Sequence, residues 1–506
     1  MDFLIPYQQE HTNNLINIIK KNGRALDASM MGLGKTYCAV VSCLMLGLRP
    51  FIICPKIVFN TWISVMENFN CDYYGITSYE LIQRMKYFDN ENNKIECEFI
   101  KCNENNKYKD DDNGYVINEN LIPDDVIIIY DEVHKCKNIK TLNGQILYAF
   151  TNTRLKILML SGTVADQPVY FVLVGLVLKL YNNYDDGHKW IINKSKILDA
   201  NNYMLAFHKI IYPKYASKIN ENIMKELYPN CHIEAKCFSM DTKNEIDKNY
   251  EEMLEKIKIN KHSYLAEYSK ANQKNELLKL PTVVKKTLKA VENGNSVVIF
   301  VNYTNTINEL SKQLNTKCIV NGEINEIEKN INIKNFNDDI ERIIICNLKA
   351  GSNSISLHDL HGNHPRISFI MPTWSITDLV QSLGRIYRAN VKTPTFQYIV
   401  LSNSINELYI QNKIKDKLNN ISLLNSGNNK EPLFKINNLI VKNEDVETKF
   451  GVALKINRDD KKKIKKEINN LKMKETKRIE KKKMVFINND YFSIIKMLET
   501  LKKKKI

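Results

Sequence analysis

Short runs of apolar residues alternate with helical patterns in two separate stretches of the chain. The first stretch extends from about residue 24 to 175, and the second from residue 280 to about 420. Residues 51–54 and 126–130 are continuous apolar runs, and residues 155–160 form a run that only Lys156 interrupts. The further strand candidates are residues 24–28, 297–301, 343–346, 367–371 and 396–401. Such runs are typical of strands that are buried on both faces of a parallel sheet. The pattern predicts an α/β fold with two parallel-sheet lobes, residues 1–175 and 280–420.

Three other segments depart from this alternation. Residues 87–125 hold 11 acidic and 4 basic residues with many Asn, which predicts an acidic surface insertion in the first lobe. Residues 176–279 have mostly helical patterns, which predicts a helical linker segment. Residues 421–506 are predicted to form a basic helical extension, because Ile464, Ile468 and Leu471 share one helix face.

The charge balance narrows the range of partners. The 506 residues include 73 Lys+Arg and 57 Asp+Glu, so the formal net charge is +16, and +12 of it lies in residues 451–506. A basic balance of this size suggests a polyanion, either nucleic acid or an anionic membrane surface. The longest apolar run, Val169 to Leu178, is far shorter than the roughly 20 residues of a membrane-spanning helix, so we expect no membrane partner.

Cysteine usage predicts the compartment. The 11 Cys are scattered and include no C-x-x-C pair, so zinc sites and disulfide frameworks are not expected. The first residues show no basic region followed by a long apolar segment, so secretion is not expected. This composition fits a reducing environment, such as the host cytoplasm, the nucleus or a virion assembled there.

The strongest motif is GLGKT at residues 32–36. It follows the strand candidate 24–28 and opens the apolar helical run 37–46, which is the context that a phosphate-binding P-loop requires. Glycines let the backbone N–H groups face phosphates, and the helix N-terminus adds its dipole. The predicted nucleotide-binding residues are Gly32, Leu33, Gly34, Lys35 and Thr36. The amine of Lys35 is expected to supply positive charge at the β- and γ-phosphates, and the hydroxyl of Thr36 is expected to bind Mg²⁺. Ser29 stands where the full pattern has glycine.

A second acidic strand end completes the pattern of an ATPase. Asp131 and Glu132 directly follow the apolar run 126–130. Asp131 would hold Mg²⁺, and Glu132 would orient and deprotonate the attacking water. The alternative is an ordinary loop whose acidic residues cap a helix.

The motifs together resemble one family. DEVH at residues 131–134 resembles the DExH box of superfamily-two helicases, and the chain is most similar to the Swi/Snf-like branch and to the helicases of large DNA viruses. The other matching segments, within residues 3–402, are Pro6-Tyr7-Gln8, Ile53-Cys54-Pro55 with Trp62, Thr77 to Glu80, Lys137-Asn138, Ser161-Gly162-Thr163, Val298 to Phe300, Lys349-Ala350-Gly351 with Ser356-Leu357, Leu357 to Gly362, Pro365-Arg366, Trp374 and Gln381 to Arg388. Their order and spacing carry the resemblance.

The resemblance implies two RecA-like lobes with ATP between them, and it assigns roles to individual residues. The implied catalytic residues are Lys35, Asp131, Glu132, Gln381, Arg385 and Arg388, the last two as arginine fingers from the second lobe. Nucleotide contacts are implied for Tyr7, Gln8 and Gly351 besides the P-loop. Coupling between motifs is implied for His134, Ser161, Gly162 and Thr163. Nucleic-acid contacts are implied for Pro55, Lys56, Thr77, Ser78, Asn302 and Lys349.

Some residues keep a second interpretation. Arg385 and Arg388 lie three positions apart on a predicted helix, where surface ion pairs are common. His134 fits a core histidine as well as a link between motifs, and Trp62 is expected to pack in the core rather than to stack on a base. The sequence also departs from the family at Val164 and at residues 352–354, and the latter concerns coupling to nucleic acid more than hydrolysis.

The resemblance predicts a nucleic-acid-dependent ATPase that uses ATP and Mg²⁺ to translocate on or remodel DNA, in viral transcription or genome handling. Double-stranded DNA is the favoured partner over RNA, a viral RNA polymerase or transcription factor is a further expected partner, and the motor is expected to be monomeric. One alternative is a strand-separating RNA or DNA helicase. The other is a transcription or packaging factor whose motor mainly binds. The Lys-rich tail fits phosphate contacts, a nuclear signal or a solvated helix.

Overall fold

Two sheets organise the protein, seen here in a computed structural model. The structure describes residues 4–102, 114–198, 202–219, 223, 229–259, 264–351, 355–373, 375–388, 390–427 and 436–437. The predicted α/β class with two RecA-like lobes is confirmed, since each sheet is parallel throughout its centre. No helix among these described residues is long and apolar enough to cross a membrane.

The sheet of lobe 1 has eight strands in the order β10-β1-β9-β8-β2-β3-β4-β5. Its strands are β1 (Arg24–Asp27), β2 (Arg49–Cys54), β3 (Gly75–Ser78), β4 (Lys86–Phe88), β5 (Lys94–Glu96), β8 (Val126–Asp131), β9 (Lys156–Leu160) and β10 (Ala216–Ser217). Two short strands, β6 (Ile100–Cys102) and β7 (Tyr115–Ile117), pair separately. The helices up to Ile211 are α1 (Pro6–Asn22), α2 (Lys35–Leu46), α3 (Phe59–Asn68), α4 (Tyr79–Ile82), α5 (Leu142–Thr151), α6 (Pro168–Val177), α7 (Tyr184–Ile197) and α8 (Tyr203–Ile211).

Strand β8 shows why the central strands are continuously apolar. Alternate side chains of a strand point to opposite faces of the sheet. Ile127 and Ile129 pack in one hydrophobic cluster, whereas Ile128 and Tyr130 pack in another. Because helices cover both faces, every position of the strand is buried, and the carboxyl ends of β1, β8 and β9 meet at one edge of the sheet.

The sheet of lobe 2 is parallel throughout, in the order β13-β14-β12-β15-β16-β11-β17. Its strands are β11 (Cys231–Phe238), β12 (Ser296–Val301), β13 (Ile319–Val320), β14 (Ile343–Asn347), β15 (Arg366–Ile370), β16 (Thr395–Ser402) and β17 (Ile436–Asn437). The remaining helices are α9 (Lys243–Ile259), α10 (Tyr264–Leu278), α11 (Leu280–Glu292), α12 (Thr304–Gln313), α13 (Glu326–Asn337), α14 (Leu348–Gly351), α15 (Ile376–Leu383) and α16 (Ile405–Ser426).

The segment predicted as a helical linker, residues 176–279, differs from that prediction. It contains β10, which pairs with β1, and β11, which pairs with β16 over eight residues. In β11, buried Ile233 and Ala235 alternate with more exposed residues, so the strand lacks the continuous apolar run used to find the others. Lobe 2 therefore includes a strand about 50 residues before its predicted start.

The acidic insertion, residues 87–125, is also less superficial than predicted. Its described part contains Phe99 and Tyr115, both buried in the hydrophobic cluster of lobe 1. The rings of Phe51 and Phe99 meet edge to face with centroids 5.3 Å apart. The insertion thus contributes to the core, while its most acidic stretch lies outside the described residues.

The chain divides into two compact units. The first consists of residues 1–247 and 272–439 and contains both sheets, and the second consists of residues 248–271 and 440–506. Within the described part of the second unit, Asn249 donates to the main-chain oxygen of Ala271 over 2.8 Å. Of the predicted basic extension, residues 421–426 continue helix α16, and its Lys-rich part lies outside the described residues.

Candidate active site

The P-loop joins β1 to α2 and carries two glycines in the left-handed region. Gly32 has φ +81° and Gly34 has φ +90°, which side chains other than glycine rarely adopt. A Cβ on Gly34 would lie 2.2 Å from Nε2 of Gln8. The same Nε2 donates to the main-chain oxygen of Leu33 over 3.1 Å, so Gln8 lies against the P-loop. Tyr7 is half-buried and packs on the core beside α2.

Lys35 points back along the loop. Its ammonium donates to the main-chain oxygens of Ser29 over 3.0 Å and Met30 over 3.1 Å. It is also close enough to the strand end of β8 to favour ionisation of both Asp131 and Glu132. The Lys35 ammonium, which is predicted to contact the β- and γ-phosphates, therefore lies against the P-loop and near the carboxyl end of β8.

Ser29, which replaces a glycine of the full pattern, has a structural use. Its hydroxyl accepts from the main-chain N–H of Ile219 over 2.9 Å and lies 3.3 Å from Nε2 of His11. His11 Nε2 in turn lies 3.0 Å from Oδ2 of Asp27. Burial alone would raise the pKa of Asp27, but this partner and nearby Lys35 lower it. The hydroxyl thus fixes the start of the P-loop to α1 and to the segment after β10.

Asp131 and Glu132 stand side by side at the carboxyl end of β8 but are held in different environments. Burial and the neighbouring Glu132 charge raise the pKa of Asp131. Burial also opposes ionisation of Glu132, but the hydrogen bond with His134, together with Lys35 and Arg385, holds its pKa below the ordinary value. Glu132 adopts φ +58°, an uncommon conformation for a non-glycine residue. The arrangement keeps Glu132 ionised.

His134 links three motifs. Its Nδ1 lies 3.0 Å from Oγ of Ser161 and 3.2 Å from Oε2 of Glu132, and its Nε2 lies 3.5 Å from Nε2 of Gln381 in lobe 2. Ser161 also accepts from the main-chain N–H of Thr163 over 3.2 Å. Of the two interpretations of this buried histidine, the structure favours the link between motifs.

Gly162 brings the end of β9 against the P-loop. A Cβ at this position would lie 3.1 Å from the main-chain oxygen of Ser29, closer than side chains normally approach. Its own carbonyl accepts from Asn425 over 2.9 Å. The residues predicted for coupling therefore lie at one junction between the P-loop, β8 and lobe 2.

Arg385 is buried and Arg388 is half-buried, and both lie beside the P-loop of lobe 1. Arg385 is 2% exposed, donates to the main-chain oxygen of Ile355 and contacts the sulfur of Met31 in the P-loop. Arg388 donates to Oγ of Ser356 over 2.7 Å, and its side chain lies 3.7 Å from the position of a Cβ on Gly32. Burial lowers the pKa of both arginines, and Glu132 opposes that shift. The Arg385 guanidinium thus contacts the P-loop, whereas Arg388 approaches the P-loop with its aliphatic atoms and donates within lobe 2.

A small cavity lies next to Glu132. Met31, Gly162 and Thr163 of lobe 1 line it together with Val380 of lobe 2. Its volume of about 10 Å³ is close to the minimum of roughly 10–15 Å³ that one buried water molecule requires. The candidate general base therefore borders a small cavity that residues of both lobes line.

The residues predicted for Mg²⁺ fit that ion chemically. Thr36 offers a hydroxyl and Asp131 a carboxylate, the hard oxygen ligands that Mg²⁺ prefers beside phosphate groups. When bound, Mg²⁺ would neutralise charge on the transferred phosphoryl group. No cluster of three or more His, Cys, Asp or Glu side chains suited to a metal occurs in the described ranges.

Two aromatic residues that hold Asp131 were not assigned this role from the sequence. Nε1 of Trp62 donates to Oδ2 of Asp131 over 3.0 Å, and the hydroxyl of Tyr79 donates to the main-chain oxygen of Asp131 over 2.7 Å. Trp62 is fully buried, as predicted, and its indole N–H is the donor that contacts Asp131. No local pattern signals a contact between residues 69 positions apart.

The residues predicted to contact nucleic acid fall into two groups. Lys56 and Lys349 are exposed, so they remain candidates, and Pro55 is buried beside Lys56. Thr77 differs from the prediction, because it has no exposed surface and its hydroxyl donates to the main-chain oxygen of Lys86 over 2.7 Å. Its side chain joins β3 to β4 and does not reach solvent.

Ser78 and Asn302 are also used within the protein. Ser78 is 4% exposed and caps α4 by accepting from the main-chain N–H of Leu81 over 3.1 Å. Asn302 donates from its amide to Glu276 over 2.6 Å and to Pro372 over 3.2 Å. The amide hydrogens of Asn302, which was predicted to contact nucleic acid, are thus directed into lobe 2.

The predicted nucleotide contact of Gly351, the last residue of α14, stays a prediction.

The two ends of α2 allow a matched test of the P-loop. Replacing Gly34 by Ala is expected to raise KM for ATP at least about tenfold, because the methyl group strains the backbone and displaces Gln8. Gly47 ends the same helix with φ +62°, and a methyl group there would meet nothing within 4 Å. Gly47→Ala should cost similar stability, about 1 kcal/mol, without changing KM. Equal KM values for the two variants would contradict this role of Gly34.

Comparisons with known proteins identify what the chain is similar to. The family model described as helicase conserved C-terminal domain matches residues 279–390. A putative ATP-dependent RNA helicase of Acanthamoeba polyphaga mimivirus is 34% identical over 468 residues, which cover 86% of each chain. Among solved structures, Dbp5 of S. cerevisiae bound to RNA and ADP BeF3 aligns with TM-score 0.42 and 13% identity, covering 82% of this chain and 92% of the other. The Sulfolobus solfataricus SWI2/SNF2 ATPase core with dsDNA aligns with TM-score 0.32 and 16% identity, covering 78% and 87%.

Proposed function

The chain belongs to the superfamily-two helicases, in the group represented in large DNA viruses, and from this membership we propose that it translocates along double-stranded DNA. At the coarser level it is an ATP-hydrolysing, ATP-dependent nucleic-acid enzyme of the helicase family. The finer proposal concerns which nucleic acid it moves on and whether the strands part.

The observation that carries the proposal is the meeting of the two lobes at the P-loop. Arg385 and Arg388 come from lobe 2, whereas Lys35 and Glu132 come from lobe 1, so hydrolysis requires both lobes. ATP binding therefore favours closure of the cleft, and product release permits opening. A nucleic acid bound to both lobes would be moved by that cycle.

The distribution of charge supports a polyanionic track on the motor itself. Removing the +12 of residues 451–506 and the −7 of residues 87–125 leaves +11 on the rest of the chain. Lysines and arginines that neutralise phosphates release counterions, so binding should weaken as the salt concentration rises. The tail is therefore not the only basic part of the chain.

Two segments that resemble the Swi/Snf-like branch, Ile53-Cys54-Pro55 with Trp62 and Thr77 to Glu80, favour duplex DNA. The Lys137-Asn138 pair was also predicted from that branch, and Lys137 lies 4.6 Å over the ring of Tyr170 and 3.6 Å from Asp166. A role in viral transcription or genome handling, with a viral polymerase or transcription factor as partner, is part of this proposal.

A strand-separating RNA helicase is the second candidate. It is favoured by the name of the mimivirus relative, which is called a putative ATP-dependent RNA helicase. The two candidates differ in one observable. A translocase should displace streptavidin from a biotinylated duplex without parting the strands, whereas a helicase should release a labelled strand from a tailed duplex. Unwinding of tailed RNA without streptavidin displacement on DNA would overturn the first proposal.

A further inference from the structure

A basic and aromatic cavity lies on lobe 2, between α11 and one face of the sheet. Its volume is about 180 Å³, more than ten times the roughly 10–15 Å³ that one buried water molecule requires. The cavity shares no residue with the candidate active site. The lining side chains that bear on binding are three lysines and three apolar residues, Lys236, Lys286, Lys289, Ile367, Phe369 and Tyr398.

Aromatic rings line the sheet side of this cavity. Phe369 of β15 and Tyr398 of β16 stack with ring centroids 5.7 Å apart and an interplanar angle of 22°. Phe396 lies two residues before Tyr398 and therefore on the same face of the strand. Its ring stacks on that of exposed His232, with centroids 5.1 Å apart and an angle of 11°. The aromatic surface thus continues beyond the cavity along the sheet.

The two faces of β16 are packed differently. Gln397 and Ile399, which point to the opposite face, are 0% and 1% exposed. Phe396 and Tyr398 are only half-buried. The described helices therefore leave part of the aromatic face accessible to a ligand.

The lysines make the cavity positive. Lys286 and Lys289 are exposed and lie three positions apart on α11, so they share one face of that helix. The ammonium of Lys236 lies 5.1 Å over the ring of Tyr398 and 3.6 Å from Glu234. Within the described part of the chain, no Asp or Glu lines the cavity. Glu234 can balance only one of the three lysines, so the cavity keeps a positive charge.

A nucleotide unit combines the two features that this cavity would bind. Its base presents a flat aromatic face, and its phosphate is an anion. Bases of single-stranded nucleic acid stack on aromatic side chains of sheets, while basic side chains bind the phosphates. Bases of a duplex are stacked on each other and must be unstacked before they reach such rings. Because the aromatic surface extends past the cavity to Phe396, a strand fills the site better than a free nucleotide does.

We propose that this cavity binds a segment of single-stranded nucleic acid. One base packs against Phe369 and Tyr398, and the neighbouring phosphates lie at Lys286 and Lys289. Asn295 also lines the cavity and directly precedes β12, so the site extends to the amino-terminal edge of the sheet. Ligands of the ATP cleft lie at the carboxyl-terminal edge. The inference therefore goes beyond the proposed function by adding a separate contact for an unpaired strand.

The test is binding of a labelled oligothymidine of about ten nucleotides, since single-strand sites cover roughly 4–16 nucleotides. The full chain is used with an excess of unlabelled duplex DNA, which occupies the proposed duplex track and the Lys-rich tail. A strand of the same length with abasic sugars carries the same phosphates without bases. The wild type should bind the oligothymidine about tenfold more tightly than the abasic strand.

A tyrosine variant tests the contact with the base. Tyr398→Leu should abolish the preference for the base-containing strand, because leucine keeps apolar volume but offers no ring. Tyr215→Leu in lobe 1 is the matched control, since Lys214 lies 4.9 Å over the ring of this half-buried tyrosine. The control should keep the wild-type preference.

A double lysine variant tests the contact with phosphates. Replacing Lys286 and Lys289 by Gln should weaken binding of both strands and leave the preference for bases. The slope of log affinity against log salt should decrease by about 1.4, or about 0.7 for each lost phosphate contact. The control replaces Lys312 of α12 and Lys334 of α13, which are also exposed lysines of lobe 2, and should keep the wild-type slope.

Equal affinities of the wild type for the two strands would overturn the proposal, and so would a preference for bases that survives Tyr398→Leu. Thymidine monophosphate that displaces the strand at equal nucleotide concentration would assign the cavity to a free nucleotide instead. Displacement by polyglutamate at equal charge would assign it to an acidic peptide, and either result overturns the proposal. Stimulation of the ATPase by duplex DNA is a separate measurement, so failure of the proposed function and failure of this inference are distinguishable.

Discussion

Replacing Glu132 by glutamine is expected to lower kcat for ATP hydrolysis about 10³-fold, the range of a lost general base. Glutamine keeps the size and hydrogen-bonding capacity of the side chain but cannot accept the proton of the attacking water. Lys35 of the P-loop and Arg385 of lobe 2 remain in the variant. Because these groups carry the positive charge of the site, ATP binding should persist.

The measurement is single-turnover hydrolysis together with binding of a fluorescent ATP analogue. Glu407→Gln is the matched control, because Glu407 is 1% exposed and forms an ion pair with Lys279 in lobe 2. It should reduce stability without a comparable loss of kcat. A Glu132→Gln variant that retains kcat within about tenfold would show that another group takes the proton.

Replacing Arg385 by alanine is expected to lower kcat about 10³-fold or more, the range seen when an arginine finger is removed. The guanidinium lies against Met31 of the P-loop, and its removal leaves charge developing on the γ-phosphate unbalanced. Arg385→Lys should recover little activity, because an ammonium lacks the planar fork of donors. ATP binding should fall much less than kcat.

Arg366→Lys provides the control for disturbing a buried arginine of lobe 2. Arg366 has no exposed surface and donates to Asp339 over 2.6 Å, among the residues packed on Phe336. Thermal unfolding of both variants separates loss of stability from loss of catalysis. If Arg385→Ala and Arg366→Lys lower kcat equally, the effect belongs to the fold of lobe 2 and not to the cleft.

Contiguous motifs made much of the site predictable. Residues 32–36 and 131–134 each follow a buried strand, and parallel strands end at the same edge of a sheet. The apolar runs of β8 and β12 identified central strands because both faces are covered. The motifs therefore predicted that the P-loop, Asp131 and Glu132 lie at one edge of the sheet. In the structure, β1 and β8 both pair with β9, and their carboxyl ends lie at that edge.

Contacts between distant elements were not predictable in the same way. The bond from Trp62 to Asp131 depends on the position of α3 against β8, which no local period encodes. The burial of Thr77 depends on strand β4 pairing beside β3. Strand β11 was missed because its side chains alternate in exposure and its partner β16 lies more than 150 residues away.

The most direct test of the account is the ATPase rate of the full chain measured in parallel with duplex DNA, single-stranded DNA and RNA. The account predicts that duplex DNA raises kcat most, that the stimulation declines with increasing salt and that Glu132→Gln abolishes it. Greatest stimulation by RNA would favour the second candidate. A rate that none of the three nucleic acids changes would contradict the central claim that hydrolysis in this cleft is coupled to a nucleic-acid track.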